Sequence, residues 1–214
     1  MGGTVVTERV IKGHACVAEG AAWLCAQEPC FARAIDGLPA LPLRLRPDGF
    51  AQLLHAIVGQ QVSVASARAI WTRLEAAGMA APGLVDATSE EELRALGLSR
   101  QKARYAKALA AAQIDYGALR DMPSGDVIKT LVAVPGIGPW TAEIYAMFSL
   151  GRADVFAHGD LALQEAARLI FDLPARPSEK EMRAMAQDWS PWRSVAARIM
   201  WAYYSADKKR EGIG

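Results

Sequence analysis

Five residues in the middle of the chain, Pro135-Gly136-Ile137-Gly138-Pro139, combine two prolines with two glycines. Glycine adopts backbone conformations that other residues avoid, and it lets another molecule approach the main chain without a Cβ in the way. Pro139 suits the first position of a helix, where its missing N–H costs nothing. The amides of this turn and of the next helix's first turn then point outward and suit an anion such as phosphate. The alternative is an ordinary tight turn between two helices, in which glycine only permits close packing.

A carboxylate follows this turn. Asp160 stands in the segment DVFAHGDLAL (154–163), twenty residues after Trp140. It is a candidate for acid, base or electrostatic chemistry, and the competing interpretation is a helix N-cap, since the pattern predicts a helix from Leu161. His158, two residues earlier, is either a second acid or base or an ordinary loop histidine.

The elements that must position these residues are predicted to be helical. Hydrophobic residues make up 52% of the 214 residues, and alanine is abundant while β-branched runs are short, which favours an all-α protein. A chain of this length buries a sizeable core as one large domain or two small lobes. Apolar spacing and capping signals predict about ten helices, among them 14–28, 29–37, 99–112, 124–134, 139–150, 161–171 and a last helix from Ser190-Pro191 to about Tyr204. Capping boxes are predicted at Thr88 or Ser89 with Glu91 or Glu92, and at Ser178 with Glu181.

Charge and cysteine content limit the class of protein. Lys and Arg number 24 against 23 Asp and Glu, so any nucleic-acid contact must be local. Cys16, Cys25 and Cys30 form no C-x-x-C pair and are expected as buried thiols in a reducing compartment. No run of 18 apolar residues and no signal-peptide core occurs, so we expect a cytoplasmic protein without a membrane partner.

The turn and the aspartate together resemble the helix–hairpin–helix DNA glycosylase superfamily. Its hairpin has the form L-x-x-x-P-G-(I/V)-G, and a catalytic aspartate follows about twenty residues later. The W-T-A after the hairpin and the D-x-F-x-x-x-D-L-x-L segment resemble the 3-methyladenine DNA glycosylase II (AlkA-type) branch. IVGQQVS (57–63) is similar to its first core motif, and WSPWRSVAARIMW (189–201) to its closing helix. The resemblance covers roughly residues 15–206.

This resemblance implies an all-α fold of two helical lobes, with a helix–hairpin–helix motif and a cleft between the lobes. The expected organisation is N-terminal helices at 1–46 that pack with the C-terminal lobe, a lobe at 47–120, the hairpin lobe with closing helices at 121–206, and a tail at 207–214. Branch members often carry an N-terminal β-rich domain, and because about fifty residues precede the first core motif, we expect this domain to be absent.

The implied function is that of a base-excision-repair DNA glycosylase that flips out and hydrolytically removes alkylated purines such as 3-methyladenine and 7-methylguanine. Asp160 would stabilise the positive charge that develops on the sugar and would orient or deprotonate water. Superfamily members that also cleave the strand carry a lysine where this chain has Trp140, so no lyase step is expected. Two alternatives stay open: a DNA-binding module without catalysis, and a glycosylase for another lesion such as ethenoadenine or deaminated purines.

The resemblance also suggests a base pocket. Trp140 and Trp201 match the family's base-stacking tryptophans, and an aromatic cleft attracts a cationic alkylated purine by cation–π contact. Ile144 stands where the best-known branch member has tyrosine, so the pocket is expected to be less aromatic. Trp192 is expected either in this pocket or in the core.

The hairpin and the loop in the first core motif would hold the DNA. Phosphate binding falls to Gly136, Gly138, Trp140 and Thr141. The basic residues that would either face further phosphates or belong to solvated helix faces are Arg100, Lys102, Arg193 and Lys208-Lys209-Arg210. Gln61 would fill the space left by the flipped nucleotide, and Gln60 would either assist it or satisfy buried backbone groups.

The remaining expectations concern cofactors and partners. The family implies a Na or K ion on the main-chain carbonyls of Val132, Val134 and Ile137, and no required cofactor. Relatives that hold an iron–sulfur cluster use four C-terminal cysteines, whereas this chain has none after Cys30, so no cluster is expected. The expected partner is double-stranded DNA with damaged bases, bound by a monomer that is nucleoid-associated if the source is bacterial.

Overall fold

The computed structural model describes residues 8–210, and the regular secondary structure in this range is helical apart from an isolated antiparallel bridge between Val10 and Arg152. The all-α prediction is therefore confirmed. The thirteen helices of the described range are α1 His14–Gln27, α2 Pro29–Ile35, α3 Phe50–Gly59, α4 Val64–Ala76, α5 Pro82–Ala87, α6 Glu90–Ala95, α7 Arg100–Ala111, α8 Ala118–Asp121, α9 Ser124–Val132, α10 Pro139–Phe148, α11 Leu161–Ile170, α12 Glu179–Met185 and α13 Arg193–Arg210.

The chain forms two compact units, here called the hairpin unit (46–145) and the terminal unit (1–45 with 146–214). The N-terminal helices pack with the C-terminal helices, as the sequence predicts. The expected boundary at 120 differs from the observed one, because the hairpin belongs with the helices that precede it and the division falls inside α10. A separate tail from 207 is also not what the structure has, because α13 continues to Arg210. The cleft expected between the lobes stays a prediction.

In the hairpin unit, α7 is the helix against which α3, α5 and α6 pack. The apolar side chains of α3 recur at helical spacing, which gives one buried face, while the buried face of α7 is mostly alanine and lets its neighbours approach closely. Ser99 caps α7, accepting from the Lys102 N–H at 3.3 Å. Ser89 and Glu92 form the predicted capping box at the start of α6.

In the terminal unit, α13 contacts α1, α2 and α11. Gly20 of α1 lies against the start of this helix, since a Cβ there would be 2.6 Å from the Trp192 ring and 2.8 Å from a Val195 methyl. Phe31 meets the Trp189 ring edge-on, with ring centroids 5.5 Å apart. These close approaches explain why the core of this unit tolerates large aromatic residues beside small ones.

Two short helices, α5 and α8, do not follow from the sequence patterns because each has too few residues to show an apolar period. The last helix starts at Arg193, three residues after the expected opening at Ser190. In the part of the chain from 8 to 210, none of the helices has the length and apolar character that a bilayer span requires.

Candidate functional site

The hairpin between α9 and α10 has the backbone that its glycines predict. Gly136 has a φ of +95°, and a Cβ at this position would lie 2.4 Å from the Tyr105 ring, so only glycine fits. The Ile137 N–H donates to the Val134 carbonyl at 3.1 Å, and both side chains are buried. Gly138 has open space around its Cα on the Cβ side. The buried side chains of Val134 and Ile137 hold the turn in place, while the Cβ side of Gly138 remains open to an approaching molecule.

The start of α10 supplies the amides expected at a phosphate site. The Ala142 N–H donates to the Gly138 carbonyl at 3.1 Å, which makes Gly138 the residue before the first helical turn. In any helix the amides of that turn, here including Trp140 and Thr141, lack acceptors within the helix. Trp140 is 48% exposed, Thr141 is buried, and Ile144 is half-buried. This arrangement suits an anion, and phosphate binding by these residues stays a prediction.

The glutamines of the loop between α3 and α4 have different environments. Gln60 donates from Nε2 to the Gly136 carbonyl at 2.9 Å, which is the backbone-satisfying role that the sequence left open. Gln61 is exposed and has a φ of +55°, a left-handed conformation that costs energy in a residue with a Cβ. The structure thus gives Gln60 a positioning role in the hairpin, and Gln61 keeps its place as the predicted wedge.

The carbonyls expected to hold a monovalent cation belong to the same hairpin. Val132 ends α9, and the last carbonyls of a helix have no acceptor role within it. Val134 already accepts the Ile137 N–H, and a carbonyl oxygen has a second lone pair. A cation on the main-chain oxygens of Val132, Val134 and Ile137 stays a prediction. Within residues 8–210, no cluster of three or more His, Cys, Asp or Glu side chains is arranged to hold a metal ion.

Asp160 is the N-cap of α11, as one of its two interpretations predicts. Its Oδ1 accepts the Leu163 N–H at 3.0 Å. The same oxygen accepts the indole N–H of Trp201 at 3.3 Å, so the carboxylate is also fixed from α13. The cap and the tryptophan contact hold one half-buried carboxylate in a single orientation. Of the predicted site residues, Asp160 and Trp201 are brought together directly.

The Trp201 ring has two further neighbours in the terminal unit. The Phe148 ring lies 5.7 Å away, tilted by 38°, and the Arg44 guanidinium lies 5.5 Å from the centre of the indole ring. Arg44 has a φ of +53°, which again is unusual for a residue with a Cβ. A protein cation is therefore already close to the ring that is predicted to attract a cationic base.

Arg198 is a buried residue that sequence reasoning missed. Its guanidinium donates to the Leu43 carbonyl from Nη2 at 3.0 Å and to the Ser194 carbonyl from Nη1 at 2.8 Å, and it lies 4.8 Å from the Phe148 ring. Burial, with the nearby Arg44 charge, lowers the pKa of Arg198 to about 10. Arg198 thereby ties the segment that carries Arg44 to α13. The signal was present as a single charge in the otherwise apolar part of the closing helix.

Three further candidates have partners inside the protein. Trp192 is 2% exposed, packs against Gly20 and lies 4.2 Å below the Arg9 guanidinium, so it has the core role rather than a place in a base pocket. Lys102 donates from Nζ to the Val58 carbonyl at 2.7 Å, and burial lowers its pKa. Arg193 donates to the Ala186 carbonyl and to Asp154 at 2.7 and 3.1 Å. Both cations serve the fold because a helix-end carbonyl or a carboxylate is their nearest acceptor.

The other sequence candidates are also located. His158 is half-buried beside Phe156, with ring centroids 5.3 Å apart, as expected for a packed loop histidine. Cys16, Cys25 and Cys30 are free thiols of intermediate exposure rather than buried ones. Of the basic tail, only the Lys208 side chain lies in the described part, and those of Lys209 and Arg210 lie outside it.

An all-α chain with a glycine hairpin, and with an aspartate that caps a helix and accepts a hydrogen bond from a tryptophan, has the features of a helix–hairpin–helix protein. The family model described as HhH-GPD superfamily base excision DNA repair protein matches residues 54–191. The protein belongs to this family. Since the match begins in α3 and ends just before α13, it includes the hairpin, Asp160 and the loop of Gln60 and Gln61.

Individual relatives agree with the family. The chain is 33% identical over 178 residues to DNA-3-methyladenine glycosylase 2 of Escherichia coli (strain K12), covering 76% of this chain and 60% of that protein. A relative in Bacillus subtilis (strain 168) is 35% identical over 115 residues, which cover 52% of this chain and 40% of the relative. The chain thus spans less than two thirds of the length of these two relatives.

Solved structures give the same picture for the fold. A DNA-3-methyladenine glycosidase from Bacillus halodurans superposes with a TM-score of 0.80 at 30% identity, covering 89% of this chain and 91% of that one. A 3-methyladenine DNA glycosylase from Schizosaccharomyces pombe, solved in complex with abasic DNA, gives a TM-score of 0.72 at 25% identity, covering 86% of this chain and 95% of that one.

Proposed function

We propose that this protein is a base-excision-repair DNA glycosylase that flips damaged nucleotides out of duplex DNA and hydrolyses the N-glycosyl bond of alkylated purines. The observation that carries the proposal is Asp160, a carboxylate fixed by the Leu163 amide and the Trp201 indole in a chain of this family. A helix cap requires the amide bond alone. The additional bond from Trp201 orients the carboxylate, which is what a catalytic group needs.

The chemistry follows from the charge of this residue. As the base departs, the sugar develops oxocarbenium-like positive charge, and a fixed carboxylate stabilises that charge without reorganising. The same carboxylate orients or deprotonates the attacking water. Trp140 occupies the position of the lyase lysine, and an indole cannot form a Schiff base, so simple hydrolysis is proposed.

The contacts proposed to hold the DNA backbone belong to the hairpin unit. The amides around Gly138 and at the start of α10 bind a backbone phosphate, and the predicted wedge Gln61 fills the gap in the duplex. A Na or K ion on the carbonyls of Val132, Val134 and Ile137 would add positive charge near that phosphate. Apart from this ion no cofactor is proposed, and the protein acts as a cytoplasmic monomer, nucleoid-associated in a bacterial source.

The substrate class rests on the names of the relatives and on exposed aromatic surface. The Escherichia coli relative is a DNA-3-methyladenine glycosylase, and Trp140 exposes about half of its surface, as a base-stacking residue would. Arg44 beside Trp201 reduces the advantage of a cationic base at that ring, which favours a second candidate substrate class, neutral lesions such as ethenoadenine or deaminated purines.

The test is release of free base by the intact protein from DNA treated with a methylating agent and, separately, from duplexes that contain ethenoadenine or hypoxanthine, followed by identification of the released bases. Release of 3-methyladenine and 7-methylguanine supports the proposal. DNA binding without any release contradicts it and favours a non-catalytic module, while release of ethenoadenine or hypoxanthine alone corrects the substrate. Trapping of a covalent protein–DNA adduct by borohydride would refute hydrolysis without a lyase step.

A further inference from the structure

A groove in the terminal unit lies outside the groups described so far. It has a volume of about 540 Å³ and runs between one side of α11 and the end of α13. Arg176, from the segment after α11, forms part of its wall. At roughly 30 Å³ per water molecule, the groove has room for far more than one small ion. Its size suits an extended ligand such as a sugar–phosphate unit.

The groove begins next to the candidate catalytic residue. Leu161 lines it, directly follows Asp160 in the chain, and is 62% exposed. Tyr204, one turn beyond Trp201 on α13, lines the other side. Both helices that fix the Asp160 carboxylate therefore continue as the walls of this groove. A polymer held at Asp160 would have neighbouring units within reach of it.

The charges of the groove favour an anion. Its lining carries three cations, Arg168, Arg176 and Lys208, and two carboxylates, Glu165 and Asp207, which gives a net charge of +1. Glu165 and Arg168 form an ion pair of 2.7 Å, so they largely cancel each other. Arg176 and Lys208 then face a single remaining carboxylate.

These two cations are available in different ways. Arg176 is exposed and, within the described range, forms neither an ion pair nor a hydrogen bond, so its planar fork is open to bidentate contact with phosphate. The Lys208 ammonium lies 5.3 Å from the centre of the Tyr204 ring, which holds it at the groove by cation–π attraction. Arg176 is exposed and Lys208 lies against the Tyr204 ring, and both border the same groove.

We propose that this groove binds backbone phosphates of the lesion-bearing DNA strand, through Arg176 and Lys208, beside the nucleotide held at Asp160. The inference rests on the proposed function because it requires DNA as the partner. It adds a phosphate-binding surface on α11 and α13 to the one predicted at the hairpin. A free phosphate or nucleotide would present the same chemistry, so the experiment must separate the two sources.

The test measures the affinity of the full chain for duplex DNA as a function of salt concentration. Each phosphate contact that is lost reduces the slope of log K against log salt by about 0.9. Arg176→Ala and Lys208→Ala should each weaken binding about two- to fivefold at moderate salt, as expected for exposed ion pairs. The double variant should lower the slope by nearly 2, and the charge-preserving variants Arg176→Lys and Lys208→Arg should restore it.

The matched control is Lys12→Ala with Arg33→Ala, which removes one lysine and one arginine from exposed positions of the same unit. It should leave the slope within about 0.3 of the native value, because neither side chain lines the groove. A second arm adds inorganic phosphate or a deoxynucleoside monophosphate at constant ionic strength and records thermal stabilisation. We expect none, since a single anion gains too little from one exposed and one half-buried cation.

An unchanged slope in the double variant would overturn the inference, as would an equal change in the control. Stabilisation by inorganic phosphate with an unchanged slope would overturn it in favour of a small-anion site. Base release by the native protein is measured in parallel. Base release by the native protein, with an unchanged slope in the double variant, refutes only the phosphate-binding role of the groove. Absence of base release refutes the proposed function, even if the slope changes as expected.

Discussion

Replacement of Asp160 by asparagine separates the two interpretations of this residue. Asparagine is as good a helix N-cap as aspartate, and its Oδ1 can still accept both the Leu163 amide and the Trp201 indole N–H. The two observed hydrogen bonds, at 3.0 and 3.3 Å, therefore have counterparts in the variant. The negative charge alone is removed.

The expected magnitudes differ widely for stability and for catalysis. Exchange of two charge-assisted hydrogen bonds for neutral ones should cost about 1 kcal/mol of unfolding free energy. A full charge acting on the sugar from about 4 Å, in surroundings of effective dielectric near 20, contributes about 4 kcal/mol. Partial charge development and solvent screening reduce this figure, so the excision rate should fall at least about a hundredfold.

The assay is single-turnover release of methylated base at saturating enzyme, with chemical denaturation in parallel. Ser178→Ala is the matched control, because it removes the cap of α12 in the same unit, should cost about 1 kcal/mol, and should leave the excision rate unchanged. A rate for the Asp160→Asn variant within about threefold of the native rate would refute the catalytic interpretation. Asp160 would then be a helix cap and nothing more.

Three further outcomes are expected. Trp201→Phe removes the N–H donor to Asp160 but keeps an aromatic ring. The single-turnover excision rate should fall about tenfold while affinity for undamaged DNA stays constant. An unchanged rate would show that the indole does not position Asp160. Gln60→Ala leaves the Gly136 carbonyl without its donor and should lower the unfolding free energy by about 1 kcal/mol, measured by urea denaturation, whereas a wedge role predicts lost excision at constant stability. Burial raises the pKa of Tyr145 from 10 to about 12, so the contribution of its protonated hydroxyl to stability is complete below pH 10 and is lost as the pH rises toward 12. Tyr145→Phe should therefore flatten the plot of unfolding free energy against pH between 10 and 12. An equally steep plot for the variant would contradict this assignment.

Local signals in the sequence predicted much of the fold. The capping boxes at Ser89 and Ser178 mark the starts of α6 and α12 as expected, because a cap depends on residues three positions apart. The Gly136 turn was predicted for the same reason, since its left-handed backbone is a property of the residue itself. Short helices such as α8 were not predicted, because they contain barely one turn and show no apolar period.

Lys102 and Arg198 show what local patterns cannot determine. Lys102 finds a carbonyl of residue 58, and Arg198 finds a carbonyl of residue 43, so each partner is distant along the chain. A solvated helix face and a buried hydrogen bond leave the same residue type in the sequence. Trp192 is similar, because its burial depends on Gly20 permitting close approach of α1. The partner of a buried cation or tryptophan can be assigned only when the packing of whole helices is known.

Arg44 and Trp201 illustrate a limit of reasoning from resemblance. The motif identified Trp201 as a stacking surface for a cationic base, but no motif indicated that a guanidinium lies 5.5 Å from that ring. The contact is possible because Arg198 binds the neighbouring Leu43 carbonyl and the Arg44 backbone adopts a left-handed conformation. We therefore expect residues outside the motifs that identify the family, Arg44 among them, to influence which bases this chain accepts.

The two interpretations of Asp160 also prove to be compatible. A helix N-terminus favours negative charge, because its amides and the aligned peptide dipoles present positive charge there. An N-capping aspartate is consequently held in one rotamer with its charge stabilised before any substrate arrives, which is the preorganisation that electrostatic catalysis requires. The cap of α11 and the expected phosphate site at the start of α10 use the same property of helix termini, once for a carboxylate of the protein and once for a phosphate of the DNA. For this reason cap formation alone is weak evidence against catalysis, and the bond from Trp201 is the observation that separates Asp160 from the purely structural caps at Ser99 and Ser178.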